Sequence, residues 1–159
     1  LPENEERFLD TPGEALLKHI EMDLNPVKSY KLVVLKILLD LPGTAWEVEK
    51  IAREFRDYFI AHPENLYDYE EMARAVDPGV FPLSRIAAKL KSMPLNFLSN
   101  TEKDPFILDR GIGLFRLKEE FLPFWNDAAF RELLRERVEF TLLRYFQRHR
   151  RTSDRKRDL

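Results

Sequence analysis

The segment FILDRGIGLFRL, from Phe106 to Leu117, most constrains how this chain can fold. Two short apolar runs flank Gly111 and Gly113, which adopt turn conformations that other residues resist. The segment therefore predicts one β-hairpin in a chain whose other segments have the pattern of helices. Because an isolated hairpin is barely stable in water, it must pack against those helices. We expect its anchors to be Phe106, Leu108, Leu114 and Phe115.

Capping motifs and proline breaks predict where the helices begin and end. TPGE at 11–14 and TAWE at 44–47 both have the spacing of a capping box, which starts a helix, and the first helix should reach about Leu24. Further helices are predicted from Val48 to the break at His62-Pro63 and from Pro82 to Met93. In the first of them the residues at helical spacing are Val48, Ile51, Ala52, Phe55 and Phe59. The remaining candidate caps are Asp68 and Glu71 for a short helix, and Asn126 or Asp127 for a long C-terminal helix.

The apolar run KSYKLVVLKILLDL, residues 28–41, predicts the central buried helix. A buried strand is the rival interpretation, but the length of the run and its many leucines favour a helix. The chain has 159 residues, of which 44% are hydrophobic and twelve are Phe, so it can form one core of ordinary size.

The order of these elements predicts a mainly α fold that is winged-helix-like, with one β-hairpin as the wing and a long C-terminal helix. We expect a single domain over residues 1–159. Within it, residues 1–25 form an N-terminal helix and linker, residues 26–118 the winged-helix-like core, and residues 119–159 the C-terminal helix and a basic tail.

In a winged helix the helix before the wing enters the DNA major groove, so the helix at 82–93 is the predicted recognition helix. No acidic residue occurs between Pro82 and Asn100, and basic and hydroxyl side chains bond phosphates or base edges. The predicted nucleic-acid-binding residues are Ser84, Arg85, Lys89 and Lys91 on this helix, Lys103 and Arg110 at the wing, and Arg148, Arg150 and Arg151 in the tail.

Charge is distributed unevenly along the chain. Residues 1–27 carry seven acidic and two basic side chains, whereas residues 140–159 carry seven basic and two acidic ones. A basic end can contact phosphates, and a solvated tail is the competing interpretation.

Part of the sequence resembles a known class of domain. Lys28-Ser29-Tyr30-Lys31, the apolar run 32–41, Ile51-Ala52 and the segment Phe55 to Phe59 are similar to accessory segments near the C-termini of bacterial superfamily-2 helicases and restriction-associated proteins. The resemblance implies a helical accessory domain of a DNA-processing protein, and it carries over no catalytic residue. The phosphate-binding loop of a helicase motor, GxxxxGK[ST], does not occur in this sequence.

Catalytic and metal-binding patterns were not found, so we predict a domain that is not an enzyme and needs no cofactor or metal. The chain has no Cys, and its three His lie far apart without partners at metal-ligand spacing. Asp109 followed by Arg116-Leu117-Lys118 approaches a restriction-nuclease pattern, but Arg116 stands where the metal needs a carboxylate.

We therefore expect a non-catalytic domain that binds or positions DNA within a larger protein. The alternatives are a protein-interaction or oligomerisation module, with a possible homo-oligomer, and an unrecognised enzyme. The absence of Cys fits a reducing cytoplasm, the longest apolar run is too short and charged to span a membrane, and no secretory signal opens the chain. Its first residues suggest a fragment of a larger parent protein.

Overall fold

The computed structural model describes the backbone of residues 8–18 and 29–157, and the side chains of residues 8–18 and 29–149. Helices dominate these ranges, which confirms the mainly α prediction. The helices are α1 (Pro12–Lys18), α2 (Tyr30–Asp40), α3 (Val48–Ala61), α4 (Glu70–Ala73), α5 (Leu83–Ser92), α6 (Pro94–Leu98), α7 (Leu122–Trp125) and α8 (Ala128–Arg157). The strands are β1 (Ala45–Glu47), β2 (Phe106–Asp109) and β3 (Leu114–Leu117). Short 3-10 turns occupy Pro63–Asp68, Pro78–Val80 and Glu119–Phe121.

Helix α2 lies at the centre of the core, as the apolar run predicted. It buries eight of its eleven residues and packs against both α3 and α8. Helix α3 is amphipathic by contrast, and buries its apolar positions Val48, Ile51, Ala52, Phe55 and Phe59. All five had been expected from their helical spacing.

The predicted capping box at 44–47 is wrong. Residues Ala45–Glu47 form a strand, β1, which pairs antiparallel with β3 and places Trp46 opposite Phe115. The N–H of Val48, the first residue of α3, donates to the carbonyl of Gly113 at 2.9 Å, so the hairpin turn supplies the cap. The predicted lone hairpin is thus part of a three-stranded sheet in the order β1-β3-β2.

The sheet and helices follow the order of a winged helix. Helix α2, strand β1, helices α3 and α5, and the hairpin of β2 and β3 come in that sequence, with β1 beside β3. About twenty residues with two 3-10 turns and α4 separate α3 from α5, where a helix-turn-helix has a short turn. The hairpin packs as expected through Phe106 and Phe115, whose stacked rings are 4.8 Å apart, while Leu108 and Leu114 are half-buried.

Asp68 does not cap a short helix as predicted, because its carboxylate is buried between distant elements. One oxygen accepts from the N–H of Ser29 at 2.9 Å and from the Ser29 hydroxyl, and the other accepts from the Tyr145 hydroxyl at 2.6 Å. The Tyr30 hydroxyl also donates to the Asp68 carbonyl at 2.7 Å. Asp68 therefore links the start of α2 to the middle of α8.

Helix α8 begins where the sequence predicted, with Asp127 accepting from the N–H of Phe130 at 3.0 Å. Near its start, the guanidinium groups of Arg131 and Arg135 both donate to the carbonyl of Leu39 in the last turn of α2. Two arginines from one helix therefore cap the carboxyl end of another, which satisfies a carbonyl that α2 cannot satisfy itself.

Two further predictions concern the N-terminal helix and membrane contact. Helix α1 starts after Thr11, whose hydroxyl accepts from the N–H of Glu14 at 3.4 Å, but its predicted extension to Leu24 lies outside the described residues. No helix in the described ranges combines the length and the apolar composition that crossing a membrane requires.

Candidate nucleic-acid interface

The predicted recognition helix is α5, which packs against α3 and buries Ile86 and Leu90. Its remaining face is directed outward, so Ser84 and Arg85 are exposed and Lys89 and Lys91 are half-buried. The surroundings of these side chains differ from one end of the helix to the other.

At the amino-terminal end of α5, carboxylates face the basic side chains. The Arg85 guanidinium is paired with Glu71 at 3.1 Å, and neighbouring Glu70 is paired with Arg74 at 3.5 Å. A phosphate bound here would have to displace Glu71 from Arg85. This end of the helix is therefore poorly suited to bind a polyanion.

Lys89 lies in the middle of α5 and points toward aromatic rings. Its ammonium nitrogen is 5.0 Å from the ring centre of Tyr69 and 5.3 Å from that of Tyr30, which are cation–π distances. Burial, and then the charge of Glu71, raises the pKa of Tyr69 to about 12, so its ring stays neutral. An open cleft of about 390 Å³ adjoins Lys89, and it is lined by Tyr30, Asp68, Glu70, Glu71, Arg74 and Lys89.

At the carboxyl end of α5 the hairpin tip joins the helix. The Arg110 guanidinium donates to the backbone carbonyl of Lys91 at 2.9 Å and to the side-chain carbonyl of Asn96 at 3.1 Å. Both acceptors are neutral, so Arg110 fixes the tip and keeps its charge uncompensated. The structure thus brings together Lys91 and Arg110, two residues that the sequence had assigned to one surface.

Two residues that the sequence reasoning missed extend this surface. The ammonium of Lys31, on α2, lies 5.2 Å from the ring centre of Phe97, and Phe97 is 49% exposed on α6. Phe97 follows Asn96, which holds Arg110. The only sequence feature that pointed to Lys31 is that Lys31 and Lys36 interrupt an otherwise apolar run. No sequence feature pointed to Phe97, because its exposure depends on the short helix after Pro94.

We call the group Lys31, Lys91, Phe97 and Arg110 the wing-side surface. Among the ion pairs formed within the described residues, none involves any of its three cations. Asp109, the nearest acid in sequence, accepts from the N–H groups of Gly111 and Ile112 and so stabilises the hairpin turn. The wing-side surface therefore combines three cations with an exposed aromatic ring, and Lys31 lies over that ring.

The other predicted residues do not gather at this surface. Lys103 is exposed in the loop before β2, and Arg148 is exposed on α8. Positions 150 and 151 continue α8, and their side chains lie outside the described residues. The nine predicted residues are thus distributed over several regions.

The acidic residue of the hairpin, Asp109, has a structural role. Asp109 is engaged by the turn, and Arg116 is exposed on the central strand of the sheet. The described residues hold no group of three His, Asp or Glu side chains that could bind a metal ion. Comparison of this chain with protein-family models, with curated proteins and with solved structures finds no match.

Proposed function

We propose that this chain is a non-catalytic domain that binds DNA through the wing-side surface and positions it within a larger DNA-processing protein. The observation that supports this most is the join between the hairpin tip and the carboxyl end of α5. There, Arg110 contacts the backbone of Lys91 and the side chain of Asn96, and Lys31 lies over the ring of neighbouring Phe97. None of the three cations is ion-paired within the described part of the chain.

Each part of this surface suits a different part of a nucleic acid. Lys31, Lys91 and Arg110 neutralise backbone phosphates and release the counterions bound to them. The ring of Phe97 offers an apolar face on which a base can stack. Arg85 and Lys89 contribute less in this mechanism, because Glu71 and two tyrosine rings already engage them.

The test is fluorescence anisotropy of this chain with labelled duplex and single-stranded DNA over a series of salt concentrations. We expect Lys31→Gln/Lys91→Gln to weaken binding and to reduce the slope of log K against log salt by about 1.8 for duplex DNA, or about 1.4 for a single strand. Arg110 is left unchanged in this variant because it also holds the hairpin.

The matched control is Lys50→Gln/Arg53→Gln, which removes the same charge from the exposed side of α3. We expect it to bind like the unsubstituted chain. Equal weakening by both pairs would mean that only net charge matters and would contradict a site at the wing. No binding at low salt by a folded chain would overturn the proposal altogether.

A protein-binding module is the second candidate, and exposed apolar side chains favour it. Met93 directly after α5, Phe97 on α6 and Ile112 in the hairpin turn are all exposed. These side chains could dock on the rest of a parent protein, since exposed apolar patches often mark contact surfaces. Tight binding to a partner that Phe97→Ala abolishes, without any DNA binding, would favour this candidate.

A further inference from the structure

Helix α8 carries two large apolar side chains on the side that faces away from the domain. Its buried line consists of Phe130, Leu134, Val138, Leu142 and Tyr145. In contrast, Phe140 is 59% exposed and Leu143 is 56% exposed. The guanidinium of Arg144 lies 5.7 Å from the Phe140 ring centre and covers it only in part. Two apolar residues less than one turn apart therefore form a small patch that the domain itself leaves uncovered.

Charged residues continue this patch in both directions along the helix. Toward the amino end, Glu132 and Glu136 are exposed at one-turn intervals before Phe140. Toward the carboxyl end, Gln147 is exposed, and the helical repeat brings positions 150 and 151, both Arg, onto the same side. The outer stripe of α8 thus runs from two Glu through the apolar patch to positions 150 and 151, both Arg, with Asp154 one turn beyond them.

We propose that the outer stripe of α8 binds the same stripe of a second copy of this chain, with the two helices antiparallel. Position 140 of one copy then lies opposite 143 of the other, 136 opposite 147, and 132 opposite 151. The apolar patches meet at the two-fold axis, and each acidic end meets a basic end. A parallel pair would place acid against acid.

The order of charges favours a second copy of this chain as the binding partner. In a two-fold dimer both copies present the same surface, so that surface must be complementary to itself. The wing-side surface does not meet that requirement, since it contains three cations and no acidic side chain and so needs an anionic partner. The α8 pairing is independent of DNA binding, and it leaves α5 and the hairpin tip outside the contact.

The test is sedimentation equilibrium of the complete chain at several concentrations and two salt concentrations. We expect a reversible dimer that weakens with salt. Variant A, Glu132→Arg/Glu136→Arg, makes both ends of the stripe basic, and variant B, Arg150→Glu/Arg151→Glu, makes both acidic. Each alone should raise the dimer dissociation constant at least tenfold, whereas an equimolar mixture of A and B should form a heterodimer.

Restored association in the mixture would show that A and B have lost the dimer contact and not their fold, because unfolded variants could not associate in this way. Neither variant changes the buried line of α8. Phe140→Ser/Leu143→Ser should also give a monomer whose circular dichroism matches that of the unsubstituted chain. A chain that stays monomeric at several hundred micromolar would overturn the proposal. So would a dimer that A and B leave intact, or a mixture that fails to associate.

Discussion

The buried contact between Tyr145 and Asp68 provides the sharpest test of how α8 is held. In Tyr145→Phe the ring remains and only the hydroxyl that donates to Asp68 at 2.6 Å is removed. Asp68 is 2% exposed, so the substitution leaves a buried carboxylate with one hydrogen-bond donor fewer. A hydrogen bond to a charged group contributes about 1.5–3 kcal/mol, and we expect the free energy of unfolding to fall by about 2 kcal/mol.

The measurement is urea unfolding followed by fluorescence of the buried Trp46 and Trp125. A loss of this size corresponds to a fall in Tm of about 4–8 °C for a chain of this length. A change below about 0.5 kcal/mol for Tyr145→Phe would refute the assigned role of this bond, since ordinary surface substitutions fall within that range.

Three other predictions follow from local geometry. Gly13→Ala should destabilise the protein by about 1–3 kcal/mol in thermal unfolding although Ala favours helices, because the added Cβ would lie 2.6 Å from a ring carbon of Phe124. Arg135→Ala should lower stability by about 1 kcal/mol, since α2 loses a donor to the Leu39 carbonyl, whereas exposed Arg53→Ala should not. Burial raises the pKa of Tyr30, Tyr69 and Tyr145, that of Tyr69 to about 12. Because folding favours the neutral phenols, the free energy of unfolding keeps its full value below pH 10 and falls as the pH rises further. Absorbance titration should then show that these three tyrosines ionise only above pH 10, as the chain unfolds.

Local patterns in the sequence predicted most of the helices. The apolar run of α2, the helical spacing in α3 and the cap at Asp127 depend on neighbours within one or two turns, and all three are confirmed. The TAWE motif led to the wrong prediction of a capping box because the same residues also fit a strand. Pairing of Trp46 with Phe115, almost seventy residues away, decided between the two structures, and no local pattern records such a partner.

The candidate site was predicted less completely than the fold, for the same physical reason. The sequence identified the exposed face of α5 and the hairpin tip, but not that Glu71 would pair with Arg85. It also gave no indication that Lys31 would lie beside Phe97. Both contacts depend on how separate helices are arranged, and the charge of an isolated segment does not contain that information.

The contacts of α8 with the first half of the chain determine when the fold can be completed. The carbonyl of Leu39 accepts hydrogen bonds from Arg131 and Arg135, and the carboxylate of Asp68 accepts one from Tyr145. On a ribosome these donors leave the exit tunnel well after Leu39 and Asp68, so α2 and the elements around Asp68 must wait for them. Because loop closure between distant segments is slow, docking of α8 should limit the rate of folding. A nascent chain that stops before Asp127 would expose the apolar surface of α2 that α8 covers, which makes it a natural substrate for chaperones.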